Sequence, residues 1–278
     1  DYLGSTIIIG APYNDNNGLN TGYAKVYQWD GTSWGQKGSA INGALNNDNA
    51  GYDVDINRNG NTIALGIRFS DVNASNAGEV KVYEWDGASW VQKGGSLLGD
   101  AANDWYGYSV AISSDGNRLA ASAHFNDDNG SNSGHVKAYG WDGNLWSQLD
   151  VSIVGENSND QSGYSIDMSG NGTTLVIGAP YNDGNGTDAG HVRVYSVGSS
   201  SQCSVPLDIS ITAPAHSGTI SGNDTLIVGN TETLSSDGDA GGAWSSDNTA
   251  VATVNSTSGE VTAVSAGTAN ITYTVTGS

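Results

Sequence analysis

The sequence predicts an all-β chain of about three and a half four-stranded β-propeller blades, followed by a small β-sandwich. Three observations carry the prediction. A Trp-Asp-Gly-x-x-Trp hexapeptide begins at Trp29, Trp85 and Trp141, at intervals of 56 residues. A Gly-Tyr-x-aliphatic step keeps the same interval at Gly51, Gly107 and Gly163. An aromatic-polar-Asp step keeps it four times, at Tyr13-Asn-Asp15, Phe69-Ser-Asp71, Phe125-Asn-Asp127 and Tyr181-Asn-Asp183. A period of that length marks one supersecondary unit copied in tandem.

The copy at 107–162 shows what the unit contains. Gly107-Tyr-Ser-Val-Ala-Ile-Ser113 alternates and suits a first strand. Ser114-Asp-Gly-Asn117 holds an Asp-Gly step, which favours a tight hairpin turn. Arg118-Leu-Ala-Ala-Ser-Ala-His-Phe125 reads as a second strand of mostly small residues, as crowding near a propeller axis requires. Asn126 to Gly134 has no apolar residue and reads as a loop. His135 to Trp141 alternates again, Asp142-Gly143 turns the chain, and Trp146 starts a fourth strand. The two tryptophans flank a four-residue turn. They are expected to face one another across the hairpin and pin a blade edge. A sugar-stacking role is the alternative.

The repeat is incomplete at both ends. Asp1-Tyr-Leu-Gly-Ser-Thr-Ile-Ile-Ile-Gly-Ala-Pro12 aligns with Ser169 to Pro180, so residue 1 falls in the turn after a first strand. After His191-Val-Arg-Val-Tyr195 the Trp-Asp-Gly turn gives way to Ser196-Val-Gly-Ser-Ser-Ser201, so a fourth strand is not expected there. Such an arc does not close, whereas propellers have about four to eight blades. The expectation is a segment of a longer polypeptide whose other blades lie upstream. The absence of an initiator Met and of a signal peptide fits that expectation.

The texture changes past Tyr195. The boundaries read as blades over 1–196, a small polar linker over 197–206 and a sandwich over 207–278. The last stretch alternates in Ala250-Val-Ala-Thr-Val254, Glu260-Val-Thr-Ala-Val264 and Asn270-Ile-Thr-Tyr-Thr-Val275. Trp244, its single tryptophan, is the expected core plug.

Two families are recognisable at these residues. Residues 1–196 resemble FG-GAP, integrin-like propeller repeats through Ile9-Gly-Ala-Pro-Tyr-Asn-Asp15, Ile177-Gly-Ala-Pro-Tyr-Asn-Asp183 and Gly190-His-Val-Arg-Val-Tyr195. The middle copies replace Gly-Ala-Pro with Gly66-Ile-Arg68 and Ser122-Ala-His124. Residues 207–278 resemble a bacterial Ig-like group 2 domain through Ala243-Trp-Ser-Ser-Asp-Asn-Thr-Ala-Val-Ala-Thr-Val254 and Ser258 to Thr272. The pairing is similar to large secreted surface proteins of Bacteroidetes type, including gliding and adhesion proteins exported by the type IX system. The resemblance implies a secreted or cell-surface location and adhesion, and it names no ligand.

Charge narrows the partners. The chain has 29 acidic and 9 basic residues, a net charge of −20. That argues against nucleic acid and anionic membranes. No apolar run approaches the ~20 residues that cross a bilayer. The Asn/Asp loops offer oxygens that suit Ca²⁺, which would lie at Asp15, Asp71, Asp127 or Asp183. The same residue types also simply make turns. The calcium loop of the integrin-like family lies between the first and second strands. That connection is short here, so the family's site does not carry over. No Ser/His/Asp grouping, metal-binding His pair or phosphate loop is visible. His135 and His191 occupy one repeat position, as structural residues do, and Cys203 is alone in the linker.

The functional expectation is a non-enzymatic segment of a large extracellular adhesin. The propeller would bind a protein or glycan and the Ig-like domain would act as a stalk. The alternatives are a subunit of an extracellular filament or sheath that self-assembles through open strand edges, and an accessory module of a secreted enzyme.

Overall fold

A computed structural model describes residues 1–198, 207–209, 218–222, 225–238 and 240–275. It divides into two units, Asp1–Ser210 and Ile211–Ser278. Every regular element among the described residues is a β-strand.

The first unit is four antiparallel sheets. Blade 1 holds β1 (Thr6–Ala11), β2 (Tyr23–Trp29), β3 (Trp34–Gln36) and β4 (Ile41–Asn42). Blade 2 holds β5 (Ala50–Ile56), β6 (Thr62–Ile67), β7 (Glu79–Trp85), β8 (Trp90–Gln92) and β9 (Leu97–Leu98). Blade 3 holds β10 (Val110–Ile112), β11 (Arg118–Ala123), β12 (His135–Trp141), β13 (Trp146–Gln148) and β14 (Ile153–Val154). Blade 4 holds β15 (Ser165–Met168), β16 (Thr174–Ala179), β17 (His191–Ser196) and β18 (Leu207–Ile209). Blade 1 begins at its second strand, as the alignment of its first residues predicts. The outer strand is split where the sequence suggests one piece: β3 and β4 both pair with β2, and β8 with β9 and β13 with β14 repeat the break.

Blade 4 corrects the expectation of a missing fourth strand. β18 pairs with β17 and sets Ile209 opposite Val192. In blade 3, Ile153 stands opposite Val136, 56 residues earlier on both strands. The repeat therefore outlasts its Trp-Asp-Gly signature, because backbone pairing needs no tryptophan. The first unit runs to Ser210, past the boundary expected before Leu207. Most of the expected linker, Cys203 included, lies outside the described residues.

The Trp-Asp-Gly hairpin follows from local chemistry. Asp86 Oδ1 accepts the N–H groups of Ala88 and Ser89 at 2.8 Å, an Asx turn, and Gly87 takes the left-handed φ of 104° that a side chain resists. Asp30 and Asp142 repeat the bonds. These hydrogen bonds hold all three carboxyls below the usual carboxylate range. Trp29 then stands opposite Trp34, Trp85 opposite Trp90, and Trp141 opposite Trp146, with rings 5.3–5.6 Å apart.

The tryptophans also join blades. Trp90 Nε1 donates to the Lys37 carbonyl at 2.8 Å, and Trp146 Nε1 to the Lys93 carbonyl at 2.8 Å. Lys37 Nζ lies 5.4 Å from the rings of Trp85 and Trp90 and donates to Gly60 O and Asn61 Oδ1. Lys93 repeats this on Trp141, Trp146, Gly116 and Asn117. Lys37 and Lys93 each follow the first piece of a split outer strand, so the break serves as half of an interblade latch.

Apolar residues fill the gaps between sheets. Ile63, Leu65 and Ile67 of β6 pack on Ala24, Val26 and Ile41 of blade 1. Leu119 and Ala121 pack on Val80 and Val82, and Leu175 and Ile177 on Val136 and Ala138. Full burial of each large aliphatic contributes about 1.5–3 kcal/mol. Nearer the centre the inner strands β5, β10 and β15 contact one another in sequence. There a Cβ on Gly66 would lie 2.1 Å from the Gly107 carbonyl oxygen, which explains the small residues. Among the described residues no strand pairs with the inner edge of β10. Asp53 accepts the Val110 N–H at 2.8 Å and Asp55 accepts that of Ile112 at 2.7 Å, so carboxylates cap an edge that another strand would otherwise pair with.

The second unit pairs β19 (Ile220–Ser221) with β21 (Ser235–Ser236), and joins β20 (Thr231–Thr233), β24 (Glu260–Ala263) and β23 (Ala252–Val254) in one sheet. β22 (Ala243–Ser246) pairs with β25 (Ile271–Thr274). Trp244 is buried opposite Tyr273, with rings 4.8 Å apart, in the core role its sequence position predicts.

Candidate functional site

The densest chemistry of the first unit is an aromatic face where second strands end and inner strands begin. Tyr52, Tyr108 and Tyr164 hold one repeat position in blades 2, 3 and 4. Their rings form a ladder, 4.9 Å and then 5.2 Å apart. Burial, together with hydrogen bonds to Tyr164 and Tyr52, keeps the Tyr108 phenol protonated far above its ordinary range.

Arg68 and His124 back the ladder, each directly after a second strand. The Arg68 guanidinium carbon lies 3.7 Å from the Tyr52 ring centre, 4.3 Å from that of Phe69 and 5.3 Å from that of Trp105. Its Nη2 donates to Tyr13 Oη at 3.0 Å and Asn49 Oδ1 at 3.4 Å. Arg68 is 8% exposed, and among the described residues no carboxylate pairs with it. Among the described residues its Nε has no hydrogen-bond partner. His124 packs 3.8 Å from Tyr108 and 4.0 Å from Phe125, and among the described residues its Nδ1 also lacks a hydrogen-bond partner. Burial, then the Arg68 charge, pushes its pKa down to about 3. The imidazole is therefore neutral at physiological pH.

Trp105 completes the face under backbone strain. It has φ of 59°, at a repeat position where Asn49 (57°) and Gln161 (52°) also turn left-handed. Asn tolerates that region, whereas an indole side chain does so at a cost of about 1–3 kcal/mol. Edge-to-face contacts with Phe69 at 4.8 Å and Phe125 at 4.5 Å hold the ring in place. Tyr13 (62% exposed), Tyr164 (41%) and Tyr181 (43%) leave the rim open to solvent. Ring faces, phenol hydroxyls and an unneutralised cation can stack on and hydrogen-bond a ligand.

Sequence reasoning missed Arg68, His124 and Trp105 as a site. The signal was present in the middle copies. Where blades 1 and 4 carry Pro12 and Pro180, blades 2 and 3 carry Arg68 and His124.

The four candidate calcium aspartates occupy one position in four separate loops. Asp15, Asp71, Asp127 and Asp183 each use Oδ1 to accept the N–H five residues on, at Asn20, Asn76, Asn132 and Asp188, over 2.7–2.8 Å. Their shared structural role is to brace a turn. Among the described residues, the one group of three metal-ligating side chains is Asp100, Asp128 and His135, whose ligand atoms lie within 4.8 Å of one another. Lys137 Nζ already binds both Asp100 carboxylate oxygens, at 2.7 and 2.5 Å. Blade 4 echoes the arrangement with Glu156, His191 and Arg193, which marks it as an ion network of the repeat.

Comparison with known proteins agrees with this architecture. Residues 99–139 and 155–195 match the FG-GAP repeat family, two matches offset by the 56-residue interval. Residues 210–277 match the bacterial Ig-like domain, group 2. The chain thus carries FG-GAP propeller repeats followed by a group 2 bacterial Ig-like domain. Such domains are typically non-catalytic and typical of extracellular proteins, and they fit an adhesion or binding module. No curated protein matches the sequence.

Among solved structures the chain is similar to a candidate 6-phosphogluconolactonase from Bacteroides uniformis, at 12% identity and a TM-score of 0.46 over 66% of this chain and 47% of that one. It is also similar to a prolyl endopeptidase, at 10% identity and a TM-score of 0.38 over 83% of this chain and 32% of that one. The chain spans less than half the length of either. Likeness at this level carries neither activity nor substrate across. Among the described residues no helix is long and apolar enough to cross a membrane.

Proposed function

We propose that the chain is a non-enzymatic binding and display segment of a secreted or cell-surface adhesin. The aromatic face of blades 2–4 is its ligand platform and the Ig-like domain is a stalk unit. One observation carries the reading: Arg68 sits against three aromatic rings with no acidic partner among the described residues, in a chain of net charge −20. A protein of this charge repels anions in general. One uncompensated guanidinium among ring faces gives it a local preference for a glycan or peptide bearing a carboxylate or sulfate.

The test is binding to immobilised glycans and matrix proteins, with and without Ca²⁺. The reading predicts a ligand whose affinity falls at least tenfold in both Arg68→Ala and Tyr164→Ala. Binding that survives both substitutions moves the platform elsewhere. A calcium-dependent gain lost in Asp127→Asn supports an ion at the braced loops. Calorimetry without heat removes the ion and leaves the platform intact.

A further inference from the structure

The aromatic face is a strip that crosses all four blades. Arg68 Nη2 donates to Tyr13 Oη of blade 1 at 3.0 Å, and its guanidinium carbon lies 3.7 Å from the Tyr52 ring centre in blade 2. The ladder continues through Tyr108 to Tyr164, and Tyr181 of blade 4 stands edge to face with Tyr164 at 6.5 Å. The two ends are open, Tyr13 at 62% exposed and Tyr181 at 43%, whereas Tyr52 and Tyr108 between them are half-buried. The Tyr108 hydroxyl is already bonded to Tyr164 and Tyr52. A compact ligand would reach one end only, and an extended ligand reaches both.

Charge narrows the ligand further. Among the described residues Arg68 is the one cation in contact with the ladder, because His124, packed on Tyr108 and Tyr164, is neutral. The chain around it has a net charge of −20, which repels a densely charged polyanion. One cation suits carboxylates that are widely spaced. The surface also disfavours a peptide, which gains most from an open strand edge or an apolar groove. Asp53 and Asp55 cap the β10 edge, and Trp105 packs edge-on against Phe69 and Phe125. Ring faces and phenol hydroxyls remain, apolar on one side and polar at the tip. Pyranose rings have the matching pattern of C–H faces and hydroxyl edges.

We propose, on the reading of the aromatic face as the ligand platform, that its occupant is an extended polysaccharide of mostly neutral sugars with spaced uronate carboxylates, lying from Tyr13 to Tyr181 with one carboxylate at Arg68. A sign of salt dependence follows. Repulsion between exposed charges is screened over a Debye length of about 8 Å at physiological ionic strength, and a buried contact is screened much less. Arg68 is 8% exposed. Added salt therefore removes more repulsion than attraction, and binding strengthens.

The test measures binding of the full chain to hyaluronan and xanthan, which space their uronates, against neutral dextran and densely sulfated heparin. The expected result is retention by at least one uronate polymer, with binding at least tenfold weaker to its carboxyl-reduced form, to its disaccharide, to dextran and to heparin. Affinity for the retained polymer should rise at least twofold from about 0.01 M to about 0.15 M salt. Tyr13→Ala and Tyr181→Ala, at opposite ends of the strip, should each weaken it severalfold. Retention of neither uronate polymer, a preference for heparin, an affinity that falls with salt, or full binding by Tyr181→Ala overturns the proposal. A peptide ligand that is lost in Arg68→Ala overturns it as well and leaves the platform in place. Ligand binding that survives both Arg68→Ala and Tyr164→Ala removes the platform itself.

Discussion

At the residue scale, the main event is the replacement of proline by Arg68 and His124 at one position of the middle repeats. Proline at 12 and 180 ends a strand and offers no hydrogen-bond donor. Arginine and histidine at the same point enter the space between neighbouring tyrosines. The neutral His124 gives a signed pH prediction. Its folded pKa, about 3, lies below the ordinary value of 6.5. An unfolded chain therefore takes up the proton first as pH falls. The stability His124 contributes is fully present above pH 6.5 and is lost on acidification towards pH 3. Ring-proton NMR should show the His124 ring still neutral at pH 5, and His124→Phe should flatten that limb of the stability profile. A His124 midpoint near 6.5 contradicts the packing described.

At the element scale, the hairpins were the most legible part of the sequence. Trp-Asp-Gly-x-x-Trp encodes its own structure: the carboxylate binds two N–H groups, the glycine takes positive φ, and the indoles meet. The split outer strand was not legible, because Lys37 and Lys93 read as ordinary surface residues until the neighbouring blade is in place. β18 was hidden for a related reason. Its pairing with β17 is made by backbone, and the side-chain signature that marks the other outer strands is gone. Truncation gives a prediction here. A chain ending at residue 210 should keep the melting temperature of the blade unit. One ending at 204 should melt several degrees lower, because the outer edge of β17 loses its partner. Identical melting would remove β18 from the blade.

At the scale of the whole molecule, the sequence period became a spatial one. Residues 56 apart in sequence, such as Tyr52, Tyr108 and Tyr164, stand next to one another across blades. The number of copies and the strand order within each were therefore readable in advance. The aromatic face was not, since it joins residues from three repeats that no local motif connects. The acid-rich loops suggested calcium by composition, yet their aspartates use Oδ1 to brace turns. Composition alone does not separate those two uses of an acidic loop.

The account rests on blades packing side by side in repeat register, with the Lys–Trp latch joining blade 1 to blade 2 and blade 2 to blade 3. A double-mutant cycle between Lys93 and Trp141 tests this most directly, because these residues of neighbouring blades are 48 positions apart in sequence. With Lys93→Met and Trp141→Leu, stacked blades predict a coupling of about 1 kcal/mol. Additivity within about 0.3 kcal/mol would mean that the two side chains do not meet, and would contradict the stacked arrangement.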